Sequence, residues 1–380
     1  MPERFANADT HLRLIDPHRL SDTAQQSWDA LALLDAGGNP FAQPWLQRLS
    51  LAHCDPGQTA RLAVVEDGSG RWLGAIPLAR EHAHRVPVAL WTGWSHPNQF
   101  TGTPLIARDC AEAFWRGLLA GLDRAPGGAW ALALANLPRD APVNRALFDL
   151  CAQQGRRLVI DRRWHRAVLE PGPAANAHSG KLRRRIKGLE HKLEREHGPL
   201  SFELAHEPAR IAELAEKFVA LEGAGWKGEA GSALASREAT QRFFLEVAQA
   251  GAERAAFEIG VLRSGNRIVA MSTQLLAGGG VHGFKAAYDE AFAAHAPGLL
   301  LLVRLTRYWQ TQGQALIDSC AKPGQEPVSK LWSAWRELVD CRVVLGQVPR
   351  RTGFAALLAA EAAWHALKGL AGKGPQADKA

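Results

Sequence analysis

The chain has no run of about 18 apolar residues, so no membrane-spanning helix is expected. Its first 30 residues carry Arg4, Arg13, Asp16, Arg19 and Asp22 with no uninterrupted apolar stretch, and no signal peptide is expected either. Cysteine is scarce. Cys54, Cys110, Cys151, Cys320 and Cys341 are odd in number, scattered and without C-x-x-C spacing. That argues against a disulfide framework or a bound metal and for a reduced, cytoplasmic setting. No Gly-x-Ser-x-Gly elbow, Walker loop or His-Glu-x-x-His helix occurs, so hydrolase, NTPase and zincin chemistries lack their geometric parts. Basic residues are not interleaved with an aromatic ladder, which disfavours nucleic acid as a direct partner.

What is present fits an ordinary globular protein. At 380 residues, 47% hydrophobic and 22% charged, the chain has room for two domains, each with its own core. Part of the formal charge of +7 is concentrated in Lys181, Arg183, Arg184, Arg185, Lys187, Lys192 and Arg195. Leu182, Ile186, Leu189 and Leu193 recur at helical spacing through this stretch, predicting an amphipathic helix over 179–196. Its outer face is either a solvated surface, partly balanced by Glu190, Glu194 and Glu196, or a contact for an acidic partner. Cofactor phosphates, an acidic polysaccharide and tRNA are the partners such charge would suit.

The segment 257–318 is the most informative. Phe257 to Leu262, Ile268 to Leu276 and Val281 to Tyr288 are rich in branched and aromatic residues, with Ser264-Gly265-Asn266 and Gly278-Gly279-Gly280 between them. They predict a β-meander. Pro297-Gly298-Leu299-Leu300 then opens a helix to Gln312, and Leu316 to Ser319 is a later strand. Pro297 serves as an ordinary helix start in one reading. In the other, free N–H groups of Gly298, Leu299 and Leu300 hold an anion such as a pyrophosphate.

An earlier stretch follows the same scheme. A helical segment after Asn39-Pro40-Phe41, a hairpin from Arg61 to Glu66 and Trp72 to Leu78, and a buried strand at Trp130 to Ala135 match a helix at 210–221, a hairpin at 257–276 and the strand at 316–319. Pro171-Gly172-Pro173-Ala174-Ala175-Asn176 reads as the joint. The domains expected are 1–172 and 179–348, with an alanine-rich helix over 353–370. That helix docks on the second domain in one reading. In the other it makes a peripheral membrane or partner contact through Leu357, Leu358, Trp364 and Leu367. The aromatic and polar loop at 91–100 is core packing with a turn or a cleft wall, with Asn98 and Gln99 as weak substrate contacts and His96 lacking an evident partner.

Four runs in order carry a resemblance: Leu221 to Gly228 (LEGAGWKG), Gly265 to Ala270 (GNRIVA), Lys285 to Phe292 (KAAYDEAF) and Pro297 to Leu301 (PGLLL). From about Ser179 to Val344 the chain resembles the GNAT acyltransferase superfamily, in the branch of CelD-type cellulose-biosynthesis and FemAB-like proteins. The resemblance implies tandem GNAT-like α/β folds with mixed central sheets flanked by helices. It also implies an acyl-CoA co-substrate and direct attack of an amine on a thioester, or aminoacyl-tRNA as the alternative donor. The acceptor implied is a small molecule or saccharide, including a polysaccharide precursor; a non-catalytic scaffold in polysaccharide biosynthesis is the other option.

Attack needs a base, and the leaving thiolate an acid. Glu222, Asp318 and Tyr288 are the catalytic candidates. Trp226, Lys227, Lys285, Asp289 and Lys330 are expected to contact substrate, Lys330 by resemblance, although Ser329 stands where an aromatic precedes that lysine in FemAB-like proteins. Pro297, Gly298, Leu299 and Leu300 are the cofactor-binding candidates, although His295 and Leu300 depart from the Gln/Arg-x-x-Gly-x-Gly/Ala pattern. Cys320 reads as a small buried strand residue rather than a nucleophile.

Overall fold

The computed structural model describes residues 10–82, 88–126, 128–171, 180–314, 316–322, 328–346 and 352–354. The expected joint, apart from Pro171, and residues 355–370 of the expected C-terminal helix lie outside them. Strands of the first half are β1 (His11–Ile15), β2 (Arg61–Glu66), β3 (Trp72–His82), β4 (Ala89–Gly93), β5 (Leu105–Ile106), β6 (Ala131–Pro138) and β7 (Leu158–Leu169). Its helices are α1 (Asp22–Ala32), α2 (Pro44–Cys54), α3 (Ala111–Arg124) and α4 (Pro142–Gln153). The second half opens with α5 (Gly180–His197), β8 (Leu200–Ala205), α6 (Pro208–Gly223), the short α7 (Trp226–Glu229) and α8 (Glu238–Ala252). The meander β9 (Phe257–Ser264), β10 (Arg267–Ala277) and β11 (Gly280–Tyr288) follows. Then come α9 (Pro297–Thr311), β12 (Ile317–Asp318), α10 (Val328–Leu331) and β13 (Ala334–Val344).

Turn chemistry accounts for the meander. Gly265 adopts φ +56 between β9 and β10, a left-handed conformation that glycine reaches without strain. The apolar face of α5 buries Ile186 and Leu193, while its lysines and arginines stay exposed.

The strands form one sheet in the order β1-β2-β3-β4-β6-β13-β7-β12-β11-β10-β9-β8, with β5 off this path on β3. Among the described residues only β4 with β6 and β11 with β12 run parallel, so the sheet is mixed. Strand β13 inserts between β6 and β7, both from the first half, and β7 in turn pairs with β12 of the second. The halves are therefore continuous through the sheet. A second bridge is apolar: Phe41 and Leu46 of the first half share a core with Phe218, Phe243, Phe244, Phe257 and Phe284 of the second.

Candidate active site

Strands β11 and β12 pair over two residues only, Val281 with Ile317 and His282 with Asp318. The chains are tightest just beyond, where a Cβ on Gly283 would meet the Ser319 carbonyl oxygen at 2.5 Å. Past that point no strand among the described residues pairs with β11 on this side, and a cleft of about 690 Å³ opens. Its walls are α9 (Leu299, Leu301, Leu302, Leu305, Trp309), the α6–α7 corner (Glu222, Trp226, Lys227), β11 (Phe284, Lys285, Tyr288) and the first-half residues Pro97 and Phe100. Such a cleft, mostly apolar with a few convergent polar groups, has the make-up of a small-molecule site.

Most expected site residues meet here: Glu222, Trp226, Lys227, Lys285, Tyr288, Pro297, Gly298, Leu299 and Asp318 all line the cleft. Their environments assign them different tasks. Glu222 is buried, with one oxygen on Lys227 Nζ at 2.8 Å and the other on the Leu234 N–H at 2.8 Å. Lys227 Nζ also donates to the Ala286 carbonyl at 3.0 Å, tying α7 to β11. Trp226 stands at the mouth, 57% exposed. Burial, then the neighbouring Glu290 carboxylate and its hydrogen bond, raise the Tyr288 phenol, which keeps it a proton donor. Burial pushes the Lys285 ammonium down to about 8.

Asp318 is not available as a base. It is fully buried and paired with Arg166 of β7, Nε to Oδ1 at 2.6 Å and Nη2 to Oδ2 at 2.7 Å. Burial alone would raise its carboxyl, but the Arg166 charge, with His282, the Cys320 N–H and Arg336 behind it, holds it below the usual range. Arg166 also donates to the Phe100 carbonyl at 2.7 Å and Thr101 Oγ1 at 2.8 Å, so it fastens the first-half loop to the cleft floor.

The expectation of three free amides at the start of α9 is corrected to one. Leu299 and Leu300 N–H groups both donate to the Ala296 carbonyl, Pro297 has no N–H, and only the Gly298 N–H is left. Leu300 is wholly buried in the core beneath the helix and does not reach the cleft. A Cβ on Gly298 would meet nothing within 4 Å, so the space beside its Cα is open. His295, at the pattern position three before Gly298, is buried with its Nε2 2.9 Å from Glu196 Oε2. Glu196, His197 and His295 place three ligand-type atoms within 4.8 Å of one another at this corner, outside the cleft lining.

Asp289 and Lys330 are also corrected as substrate contacts. Asp289 caps the 3-10 turn at 290–295 through the Ala291 N–H at 3.0 Å and pairs with Arg267 at 2.7 Å, and it is not among the residues lining the cleft. Lys330 is exposed on α10, whose cleft-lining neighbours are Val328 and Trp332. Asn98 is buried, and Gln99 lines a separate cavity of about 30 Å³, room for about one water. His96 is buried with its Nε2 3.1 Å from Ser50 Oγ, and burial, with the Lys285 charge, pushes it down to about 4. Burial also pushes the Cys320 thiol far up, which suits the small buried residue expected there.

The sequence reading missed Arg166, Ser272, Gln274 and Lys322. Arg166 shares β7 with exposed Arg162 and Arg163, and nothing local says which of the arginines turns inward. Gln274 and Ser272 bond each other at 2.7 Å on the cleft wall, and Gln274 Oε1 is buried with no partner among the described residues. On the far face of α9, a groove of about 540 Å³ runs between α9 and α5, lined by Arg183, Lys187, His191, Arg304 and Arg307 together with Glu190 and Glu194.

Residues 180–327 match the acetyltransferase (GNAT) domain family. A conserved protein of unknown function from Bacteroides thetaiotaomicron VPI-5482 superposes with a TM-score of 0.54 at 12% identity, over 88% of this chain and 99% of that one. The C-terminal DUF2156 domain of a protein assigned as a lysylphosphatidylglycerol synthetase, from Agrobacterium fabrum, gives 0.53 at 13% identity, over 88% and 96%. FemX gives 0.52 at 12%, over 89% and 98%. No curated protein matches the chain in sequence. At these identities the likeness is one of fold: a mixed α/β protein with GNAT-like folds, its large sheet flanked by helices.

Proposed function

We propose that the cleft transfers an acyl group from acyl-CoA to an amine, or a hydroxyl, of a sugar, polysaccharide precursor or similar metabolite. One observation carries the proposal: among the described residues β11 has no partner strand after His282, and the opening this leaves is flanked by the start of α9, whose Gly298 N–H has no partner among them. A thioester arm is an extended, amide-bearing chain, and an unpaired strand edge offers it backbone partners. The GNAT domain match over 180–327 supports acyl transfer. The CelD-like motifs in the sequence support a saccharide acceptor. Tyr288 is proposed to protonate the leaving thiolate, Trp226 and Lys227 to meet the acceptor at the mouth, and Pro297, Gly298 and Leu299 to border the pyrophosphate. Glu222 and Asp318, with both oxygens engaged, are given structural roles. The division into units 1–172 and 179–348, with β13 crossing into the sheet of the first, is likewise our proposal.

A second donor is favoured by a separate observation. The groove between α5 and α9 carries Arg183, Lys187, Arg304 and Arg307 against Glu190 and Glu194, with Arg304 paired to Glu190, and its net positive lining suits the phosphates of an aminoacyl-tRNA. A melting-temperature screen with acetyl-CoA, free CoA and bulk tRNA separates the two. A rise with acetyl-CoA and CoA supports the proposal. A salt-sensitive rise with tRNA alone, lost on Arg183→Ala/Lys187→Ala, supports the second donor, and no rise with any of them refutes both in favour of a non-catalytic scaffold.

A further inference from the structure

We propose that Lys285 is the proton-accepting group of the cleft, aimed into it by a β-bulge that Thr273 holds in place; this rests on the acyl-transfer reading above. Along β10 and β11 the pairing runs Gln274 with Gly283 and then Thr273 with Lys285, so Phe284 is one residue too many. A bulge of this kind re-aims the following side chain and recurs beside active sites. Thr273 is wholly buried, and its Oγ1 accepts from the Lys285 N–H at 3.0 Å and donates to the Lys285 carbonyl at 3.2 Å. Those two bonds fix the backbone from which the lysine projects.

The other candidates are occupied. Glu222 holds Lys227 and the Leu234 N–H, Asp318 holds Arg166, and His96 is buried against Ser50. Lys285 Nζ makes no hydrogen bond or ion pair to any described residue. Charged or titratable groups face it from every side: Glu222 and Lys227 from the α6–α7 corner, Lys322 after β12, and His96 from the first half. Burial lowers its ammonium to about 8; Glu222 opposes this, and Lys227 and Lys322 reinforce it. Lysines lowered to that range by burial and neighbours serve as bases near neutral pH.

The step balances without a further reagent. The neutral Nζ takes one proton from the acceptor ammonium, whose nitrogen then forms the C–N bond to the thioester carbonyl carbon. The C–S bond breaks with its electron pair on sulfur. The second amine proton passes to the thiolate, with the Tyr288 phenol as relay, and Lys285 returns its proton to solvent.

The test uses the full chain. Trace labelling with acetic anhydride, read by mass spectrometry, follows the titration of Lys285 against Lys187 of the exposed α5 face. Thiol release from acetyl-CoA, with glucosamine as acceptor, gives pH–rate profiles of wild type, Lys285→Met and Thr273→Val. Lys285 is expected to titrate near 8. Lys285→Met is expected to keep the acetyl-CoA melting shift and lose about 100-fold or more in turnover, with partial rescue by added methylamine. Thr273→Val is expected to displace the acidic limb of the profile. A Lys285 that titrates together with Lys187 overturns the proposal, as does Lys285→Met turnover with the wild-type profile. If acetyl-CoA binds but glucosamine is not acylated, the labelling result decides. Absence of any acetyl-CoA shift in wild type refutes the acyl-CoA reading itself, and this proposal with it.

Discussion

Replacing Arg166 with Met removes the cation that neutralises a fully buried carboxylate. Arg166 and Asp318 side chains are 1% and 0% exposed, and the pair makes two close contacts. Losing one partner of such a pair costs about 3–5 kcal/mol, because the remaining charge has no solvent to return to. Arg336 Nη1, 3.5 Å from Asp318 Oδ2, compensates in part and points to the lower end. The Phe100 carbonyl and Thr101 Oγ1 each lose a donor, adding about 1 kcal/mol apiece. A total of about 5 kcal/mol is comparable to the whole stability of many domains. The pH dependence gives a sharper signature. In wild type the Asp318 carboxyl is lowered from 3.8, so its contribution is complete above that value and is lost as pH falls through the folded pKa. Without Arg166, burial dominates and raises it, so stability should increase as pH falls through the raised value toward 3.8. Urea unfolding at pH 7 and pH 5 reads both effects. Arg166→Met/Asp318→Asn should recover most of the loss. A cost below about 1 kcal/mol, or an unchanged pH slope in Arg166→Met, would refute the reading of Arg166 and Asp318 as a mutually neutralising buried pair.

Glu258 is buried, accepts from Trp309 Nε1 at 2.8 Å, and burial raises its carboxyl from 4.5 to about 7. Its stabilising contribution is complete below about 4.5 and is lost as pH climbs to 7; the rise corresponds to roughly 3 kcal/mol. Glu258→Gln should therefore stabilise the chain by up to about that amount at pH 8 and little at pH 4.5, and equal stability of the two proteins at pH 8 would contradict it. Gly283→Ala drives a methyl against the Ser319 carbonyl at the narrowest point between β11 and β12, and should cost about 1–3 kcal/mol by denaturant melt. A neutral result would mean that the strands separate freely there. Trp226→Ala, at an exposed position, should change the melt by no more than about 0.5 kcal/mol while raising the acceptor KM; an unchanged KM would remove Trp226 from the acceptor's path.

Local signals carried the meander, the α5 stripe and the Pro297 helix start, because turn glycines and apolar spacing act within a few residues. They also collected most of the cleft. What they could not carry was non-local. Nothing in Ala334 to Val344 says that this strand lies between β6 and β7, since its pairing partners stand about 170 to 210 residues earlier in the chain. Asp289 looked like a cleft residue beside Tyr288, but successive side chains in a strand face opposite ways and the next element claimed it as a cap. Leu300 misled for a related reason: α9 is apolar on two faces, one toward the cleft and one toward the core. The Ala296 carbonyl took two of the three amides expected to be free, because Ala296 is the N-cap and its carbonyl accepts the first intrahelical bonds.

Hydrogen–deuterium exchange with and without saturating acetyl-CoA tests the central claim most directly. The account predicts slowed exchange in peptides covering 283–290 and 296–302, where the free strand edge and the start of α9 would meet the donor, and loss of that protection in Gly298→Glu. Unchanged exchange in both segments, or protection confined to 180–195 and produced by tRNA instead, would contradict it.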